Sequence, residues 1–388
     1  MHTVVRVGEC DVIVKPSPVA MAWNEPGRPH EALAAPGVRL ATGESLVEVE
    51  LATICGSDVL TVRGQRAAPT PLVLGHEAVG RVVAVGEAAA RADGTPLELG
   101  DRVVWSVGAS CGTCDRCRRG LSQACRAIAR YGHERVHRGW ELSGAFATHV
   151  QLRAGTVVVR VSEQLPASVA ATASCATATA VAALDAASAR VPLDGALVLV
   201  TGAGMLGLSV TALASEAGAE VIVSDPDASR RAFARRLGAA TSDPAARPGS
   251  LEHLDVALGT AASPEVLVAI EASGAAAAAR TAIDVIGVGG VVVLAGGDRR
   301  GGDRRDRPEL PIDPEALASR LVTVTGVRGA TADQLTRAAA FLERSWRVLP
   351  LDELVGATHP LAELDAALEE AGTGLHVRVG VAPGRRTA

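Results

Sequence analysis

Residues 196 to 225 read ALVLVTGAGMLGLSVTALASEAGAEVIVSD, and no other stretch narrows the possible folds of the chain as far. A short apolar run stops at a glycine-rich turn, a segment of helical texture follows, and a second apolar run closes on a carboxylate. Strand, turn, helix and strand in that order are the signature of a parallel sheet with helices on its faces. In the turn, Gly202, Gly204 and Gly207, with Met205 and Leu206 between them, allow a tight bend and close approach of a pyrophosphate to the helix N-terminus. Exposed backbone N–H groups and the helix dipole favour negative charge there. Asp225 ends the next strand about 20 residues on, where a carboxylate binds ribose hydroxyls and repels a 2′-phosphate. The pattern predicts NAD over NADP. Arg230 and Arg231 follow closely, and either soften that preference or lie as solvated helix residues.

The same texture continues through VLVAIEAS, the Ala-rich AAAAARTAIDVIG, GGVVVLAGG and LVTVTGV, which carry this α/β region to about residue 325. The apolar VVVLAG is expected near the end of the sheet, where it would pair across a two-fold axis in a homodimer or homotetramer. Upstream the pattern is different. LVEVELATI, AVGRVVAVG and DRVVWSV alternate or run apolar between glycine turns, as in a mostly antiparallel β domain. A chain of 388 residues is long enough for two domains with separate cores. The expected division is 1–165 for the β-rich domain, 166–325 for the doubly wound parallel-sheet domain, and 326–388 for a C-terminal segment returning to the first. The charged run DRRGGDRRDRPEL, from Asp298, reads as a solvated surface loop.

The start MHTVVRVGECDVIV is expected to be a first strand and not an export signal, and seven cysteines in such a chain point to metal binding or catalysis more than to a disulfide framework. Cys111, Cys114, Cys117 and Cys125 follow the pattern CxxCxxCxxxxxxxC, and short loops of this kind bring four thiolates onto one tetrahedral Zn²⁺. A filled four-sulfur site has no open position, so its role is to brace a lobe at about 108–128. Arg116, Arg118, Arg119 and Arg126 are expected to offset the negative charge of that site. Cys10 reads as an inert strand residue.

Three other candidates lie far apart: Cys55 in ICGSD, His76 in GHE and Cys175 in SCATATA. Two thiolates and a neutral imidazole cancel the charge of Zn²⁺ and leave a fourth position open, as catalysis requires. Taken singly, a buried Cys is a small hydrophobe and a His a satisfied polar group, and spacing alone does not separate these readings. ICGSD, LGHEAVGRVVAVG, GDRV, the four-cysteine lobe, GAFATHV, SCATAT and GAGMLG occur in one order over nearly the whole chain. In that order they resemble the zinc-containing medium-chain alcohol dehydrogenase family.

The resemblance implies a GroES-like catalytic domain followed by a Rossmann domain, two zinc ions per chain and a nicotinamide cofactor. It makes Cys55, His76 and Cys175 the catalytic zinc ligands, with Glu77 a transient ligand or a supporting group. Asp58 would receive the outer ring N–H of His76, or else cap a helix. Ser57 would take the alcohol proton, a role compatible with capping. Where a full proton relay has a His, this chain has Leu60, so His133, His137 or water must replace it. Arg378 would reach the cofactor pyrophosphate, or lie on a surface strand. The stretch YGHERVHRGWELSG resembles a bacterial branch associated with phosphonate metabolism. Arg130, His133, Arg135, His137 and Arg138 would then meet an anionic hydroxyalkylphosphonate, or remain solvated loop residues.

A net charge of −5 and an aromatic content of 2% offer neither a basic face nor stacking surfaces for nucleic acid. The most apolar stretch, 169 to 189, is rich in Ala, Thr and Ser and carries Asp185, so no membrane span is expected. The expected protein is a cytoplasmic dehydrogenase acting on a small alcohol or carbonyl compound. Two other readings stand beside it: a non-catalytic cofactor-binding sensor or assembly subunit, and a thiol switch built on the cysteine lobe. A polyol or simple secondary alcohol is the alternative substrate.

Overall fold

The computed structural model describes residues 3–7, 11–245, 265–297, 310 and 312–384. Cys10 and the charged run 298–309 lie outside them. The chain forms two compact units, one made of Met1–Cys175, Ala330–Trp346 and Leu351–Ala388, the other of Ala176–Gly329 and Arg347–Pro350. The break at Cys175 falls later than the boundary near 165 expected from composition, because the helical run Ala167–Ala170 and the turn after it remain with the β-rich unit.

The first unit is built around a seven-stranded sheet in the order Val158–Arg160, Arg102–Trp105, Glu77–Val85, Ser45–Thr53, Arg378–Ala382, Val355–Pro360, with His149–Leu152 also on Ser45–Thr53. Ser45–Thr53 is central. Its sequence SLVEVELAT is buried over most of its length because strands flank it on both sides. Trp105, Phe146, Val47, Val49, Val82 and Val103 pack into the core beside it. The C-terminal strand closes the sheet, with Gly380 opposite Thr53. On the other flank Thr53 stands opposite Glu77. Those two pairings bring the chain just after Thr53, the chain just before Glu77 and the start of the C-terminal strand to one end of the sheet.

Among its described residues the second unit holds a six-stranded, wholly parallel sheet in the order Ala240–Ser242, Glu220–Ser224, Leu197–Thr201, Val266–Glu271, Ile286–Leu294, Thr323–Gly326. The first strand in sequence lies in the middle and the chain winds outward both ways, the doubly wound order. Leu197–Thr201 is buried at every residue, as expected for a strand covered on both faces. One expectation needs correction. VVVLAG is not at the edge: Ile286–Leu294 has partners on both sides, and the outer strand among the described residues is Thr323–Gly326. Strand order depends on tertiary pairing, which apolar content does not reveal. The helical run Ala167–Ser188 is long and apolar enough to cross a bilayer, but 78% of its apolar window is buried inside the protein, as in a core helix.

Candidate metal centre and dinucleotide turn

Cys55 caps the helix Gly56–Val62, and its backbone N–H donates to Asp58 Oδ2 at 2.9 Å. That capping box fixes the Cys55 backbone where the strand Ser45–Thr53 ends. His76 follows Gly75, whose φ of +90° and contact with Phe146 exclude any larger residue. Cys175 sits in a widened helical turn, Ala173–Thr177. One ligand atom from each of Cys55, His76, Glu77 and Cys175 comes within 4.8 Å of all the others.

The electrostatics suit a cation. The Cys55 thiol is held well below its usual range, first by the hydrogen bond from Cys175 and then, against burial, by Arg378 and His76. Cys175 is pushed well up by Cys55 and by burial. Burial alone would lower His76, yet the Asp58 carboxylate and the Cys55 thiolate raise it well above the ordinary histidine value. Two buried atoms lack partners here: His76 Nδ1 and Asp58 Oδ1, which face each other at 3.6 Å. Sulfur, sulfur and imidazole nitrogen are a zinc donor set, and a carboxylate facing the outer ring nitrogen is the usual support for a metal-bound His. The residues fit the metal.

Glu77 is fully buried, and Arg378 pairs with it through Nε to Oε2 at 3.0 Å and Nη2 to Oε1 at 3.1 Å. Thr53 Oγ1 donates to the same carboxylate at 2.7 Å. Arg378 Nη2 also lies 3.9 Å from Cys55 Sγ. The guanidinium expected to reach a pyrophosphate is therefore engaged at the metal centre, because a buried carboxylate beside two thiols requires a counter-charge.

Ser57 is half-buried, and its hydroxyl has no hydrogen-bond partner among the described residues, while Cys55 rather than Ser57 takes the N-cap position. Leu60 is half-buried one turn later. The loop that follows the cysteine lobe places His133 edge-on to His76, ring centroids 4.9 Å apart, with its Nδ1 at 3.0 Å from the Tyr131 carbonyl. Burial, reinforced by the charges of His76 and Arg66, drives His133 down to about 4, so its ring is neutral near pH 7. Arg135, His137 and Arg138 are exposed, and Arg130 is half-buried with its backbone N–H on Glu134. Sequence reasoning missed Thr53. Thr53 becomes visible only through its pairing with Glu77.

In the cysteine lobe, Sγ–Sγ separations are 3.4 Å for Cys111–Cys125, 3.6 Å for Cys114–Cys117 and 4.0 Å for Cys114–Cys125. A tetrahedron with Zn–S bonds of about 2.3 Å has edges of about 3.8 Å, so the four sulfurs stand where one ion would hold them. The described cysteines are free, with no disulfide among them. Backbone amides, more than the arginines, favour the thiolates: the N–H groups of Thr113 and Cys114 bring Cys111 down to about 6, and that of Arg126 lowers Cys114. Burial and the neighbouring thiols push Cys117 up to about 12. Arg126 pairs with Asp115, and Arg116 donates to the Ala124 carbonyl.

In the second unit, Gly204 precedes the helix Met205–Glu216 without a side-chain cap, so the first-turn N–H groups are left for a ligand. Gly202 has φ +96° and lies against Ser273, and a Cβ on Gly207 would strike the Gly202 carbonyl. Met205 is buried and Leu206 half-buried. Asp225 is 5% exposed, its Oδ2 accepting from Ala203 N at 2.6 Å and its Oδ1 from Asp227 N at 2.9 Å. That carboxylate ties the second strand to the glycine turn. Arg230 N caps onto Asp227, and Arg231 donates to the Asp225 carbonyl at 2.7 Å. A tight, side-chain-free cradle with a carboxylate beside it fits a dinucleotide.

Comparison with known proteins gives the family. Residues 41–163 match the family profile described as the alcohol dehydrogenase GroES-like domain, and residues 206–344 match that of zinc-binding dehydrogenases. An L-threonine 3-dehydrogenase of Streptomyces coelicolor is 31% identical over 351 residues, covering 87% of this chain and 92% of that protein. An alcohol dehydrogenase from Thermotoga maritima superposes with a TM-score of 0.81 at 27% identity, covering 94% of this chain and 99% of that one. A zinc-binding dehydrogenase from Sinorhizobium meliloti, solved with NADP, gives 0.79 at 25% identity, covering 95% and 100%. With its GroES-like and Rossmann domains, the chain belongs to the zinc-containing medium-chain alcohol dehydrogenase family, as an alcohol-type oxidoreductase whose cofactors are zinc and NAD(P).

Proposed function

We propose that the protein is an NAD-linked alcohol dehydrogenase that oxidises a primary or secondary alcohol to the carbonyl compound. The observation that carries this is the convergence of Cys55, His76 and Cys175, with the Ser57 hydroxyl unengaged on the helix that Cys55 caps. The carbinol carbon gives up a hydride and its oxygen a proton, so NAD⁺ is reduced to NADH and one H⁺ is released. When bound, zinc supplies Lewis-acid polarisation of the substrate oxygen and the nicotinamide supplies the hydride acceptor. Asp58 orients His76, and Arg378 neutralises Glu77 and draws Cys55 toward the thiolate form. Ser57 Oγ takes the alcohol proton. Leu60 has no atom to pass it on, so the proton leaves through water.

A carboxylate fixed at Asp225 supports NAD, since a 2′-phosphate would meet like charge there. Among the described residues Thr323–Gly326 is paired on one side only, which supports a homodimer or homotetramer. Free thiols in both clusters support a reducing, cytoplasmic setting. The test is NADH formation by the zinc-loaded protein across simple alcohols, polyols, L-threonine and hydroxyalkylphosphonates, with NADP run in parallel. Turnover of at least one alcohol, faster with NAD, is expected. No turnover despite bound zinc and NAD would overturn the proposal in favour of a cofactor-binding sensor.

A further inference from the structure

Thr53 is the last residue of the central strand of the first unit, just ahead of Cys55, and it stands opposite Glu77 in the register of the sheet. It is fully buried. The backbone around it is locked, because Ile54 N donates to the Val379 carbonyl at 2.9 Å and Gly380 lies across from Thr53 on the other flank. A β-branched side chain on a buried strand has little rotameric freedom, so its hydroxyl is held in place. That hydroxyl donates to Glu77 Oε2 at 2.7 Å. The same oxygen accepts from Arg378 Nε at 3.0 Å, while Oε1 accepts from Arg378 Nη2 at 3.1 Å. Both lone pairs of Oε2 are thereby filled, and one on Oε1 is left.

Two thiolates and an imidazole already cancel the charge of a divalent zinc, and a fourth protein ligand would close the position that substrate has to occupy. Yet one oxygen of Glu77 comes within 4.8 Å of the donor atoms of Cys55, His76 and Cys175. What grips the carboxylate, more than its distance, decides whether it becomes that fourth ligand. Of its two partners, Arg378 is long and jointed and can follow a moving carboxylate; its Nη2 already lies 3.9 Å from Cys55 Sγ. Thr53, short and fixed to the central strand, cannot follow. We propose that Thr53 is a positioning residue of the metal centre, its hydroxyl anchoring Glu77 Oε2 so that the carboxylate stays off the ion and the fourth position stays open to substrate. The inference rests on the alcohol dehydrogenase reading above and assigns a further residue to the same site.

The test loads the protein with cobalt(II) in place of zinc, since the visible absorption of cobalt reports its ligands, and titrates imidazole as a probe of the open position. Wild type is compared with Thr53→Val, which keeps the shape without the hydroxyl, and Thr53→Ser, which keeps the hydroxyl without the methyl. Wild type and Thr53→Ser should bind imidazole alike, and Thr53→Val roughly 10-fold more weakly, the loss of one hydrogen bond to a charged group. The absorption of Thr53→Val should differ from that of the wild type before imidazole is added, because the carboxylate has joined the ion. With zinc, and with the alcohol of the panel above that is turned over fastest, Thr53→Val should lose a similar factor in kcat/KM, mainly through KM, since an internal competitor yields to saturating substrate. A side chain that only packed would reverse the order, with Thr53→Val like the wild type and Thr53→Ser impaired, and that result overturns the proposal. So does a wild type that takes up no imidazole, or loss of the ion from folded Thr53→Val, where a freed carboxylate should hold it more firmly. Thr53→Ala, which cannot crowd the strand, repeats the comparison should Thr53→Val not fold. No turnover of any alcohol overturns the dehydrogenase reading instead, and the cobalt arm still decides the role of Thr53.

Discussion

Glu77 has no access to solvent, and Arg378, 11% exposed, neutralises it through two hydrogen bonds. Removing the cation would strand a buried carboxylate beside two thiols. Arg378→Ala should therefore cost about 3–5 kcal/mol of stability and lower zinc retention. Chemical denaturation checks this, and a loss below about 1 kcal/mol, the scale of a surface pair, would contradict it. The motifs ICGSD and GHE made Cys55, Asp58, His76 and Glu77 legible, since each lies in a short recognisable string. The partner of Arg378 was not legible. It stands 301 positions away and is selected by the register that sets Gly380 opposite Thr53.

The glycine turn is an element whose sequence and geometry agree closely. A Cβ on Gly207 would meet the Gly202 carbonyl, so Gly207→Ala must push the helix Met205–Glu216 off the turn. We expect a cost of about 1–3 kcal/mol and weaker NADH binding, measured by fluorescence titration. Binding as tight as in the wild type would contradict this account of the turn. The segment after the cysteine lobe gives a pH-dependent prediction. Tyr131, the only tyrosine of the chain, is fully buried, with its hydroxyl on Thr156 Oγ1 at 2.6 Å and accepting from Arg153 N at 2.8 Å. Burial pushes its pKa up to about 12. Because the folded value exceeds the unfolded one, this stabilisation is complete below about pH 10 and amounts to roughly 3 kcal/mol there. It is lost as pH rises through about 12. Phenolate absorbance of the folded chain should thus appear only as pH approaches about 12, and its appearance near pH 10 in a folded chain would contradict the burial. The strands themselves were readable from alternation and apolar runs. The interior place of Ile286–Leu294 was not, since an apolar strand looks the same at an edge and inside a parallel sheet.

At the scale of the molecule, each unit builds its own site from chain segments that its sheet gathers at strand ends. The first brings Cys55 and His76, from strand ends, onto Cys175 of the helical turn and keeps the four-sulfur lobe separate, so two candidate metal clusters belong to one chain. The second gathers the glycine turn and Asp225 at the C-terminal ends of adjacent parallel strands. Division into a β-rich and an α/β part was legible because the residue pattern changes from antiparallel alternation to strand–helix repetition. The later break at Cys175 was not, because nothing in an Ala-rich helical run marks where its packing partner changes. The central claim is that Cys55, His76 and Cys175 share an ion distinct from that of the lobe, and metal content tests it most directly. Plasma mass spectrometry of wild-type protein and Cys55→Ala should give two zinc ions per chain and one, respectively, with NADH formation abolished in the variant. Equal zinc content in the two proteins, or a Cys55→Ala variant that still oxidises alcohol, would contradict it.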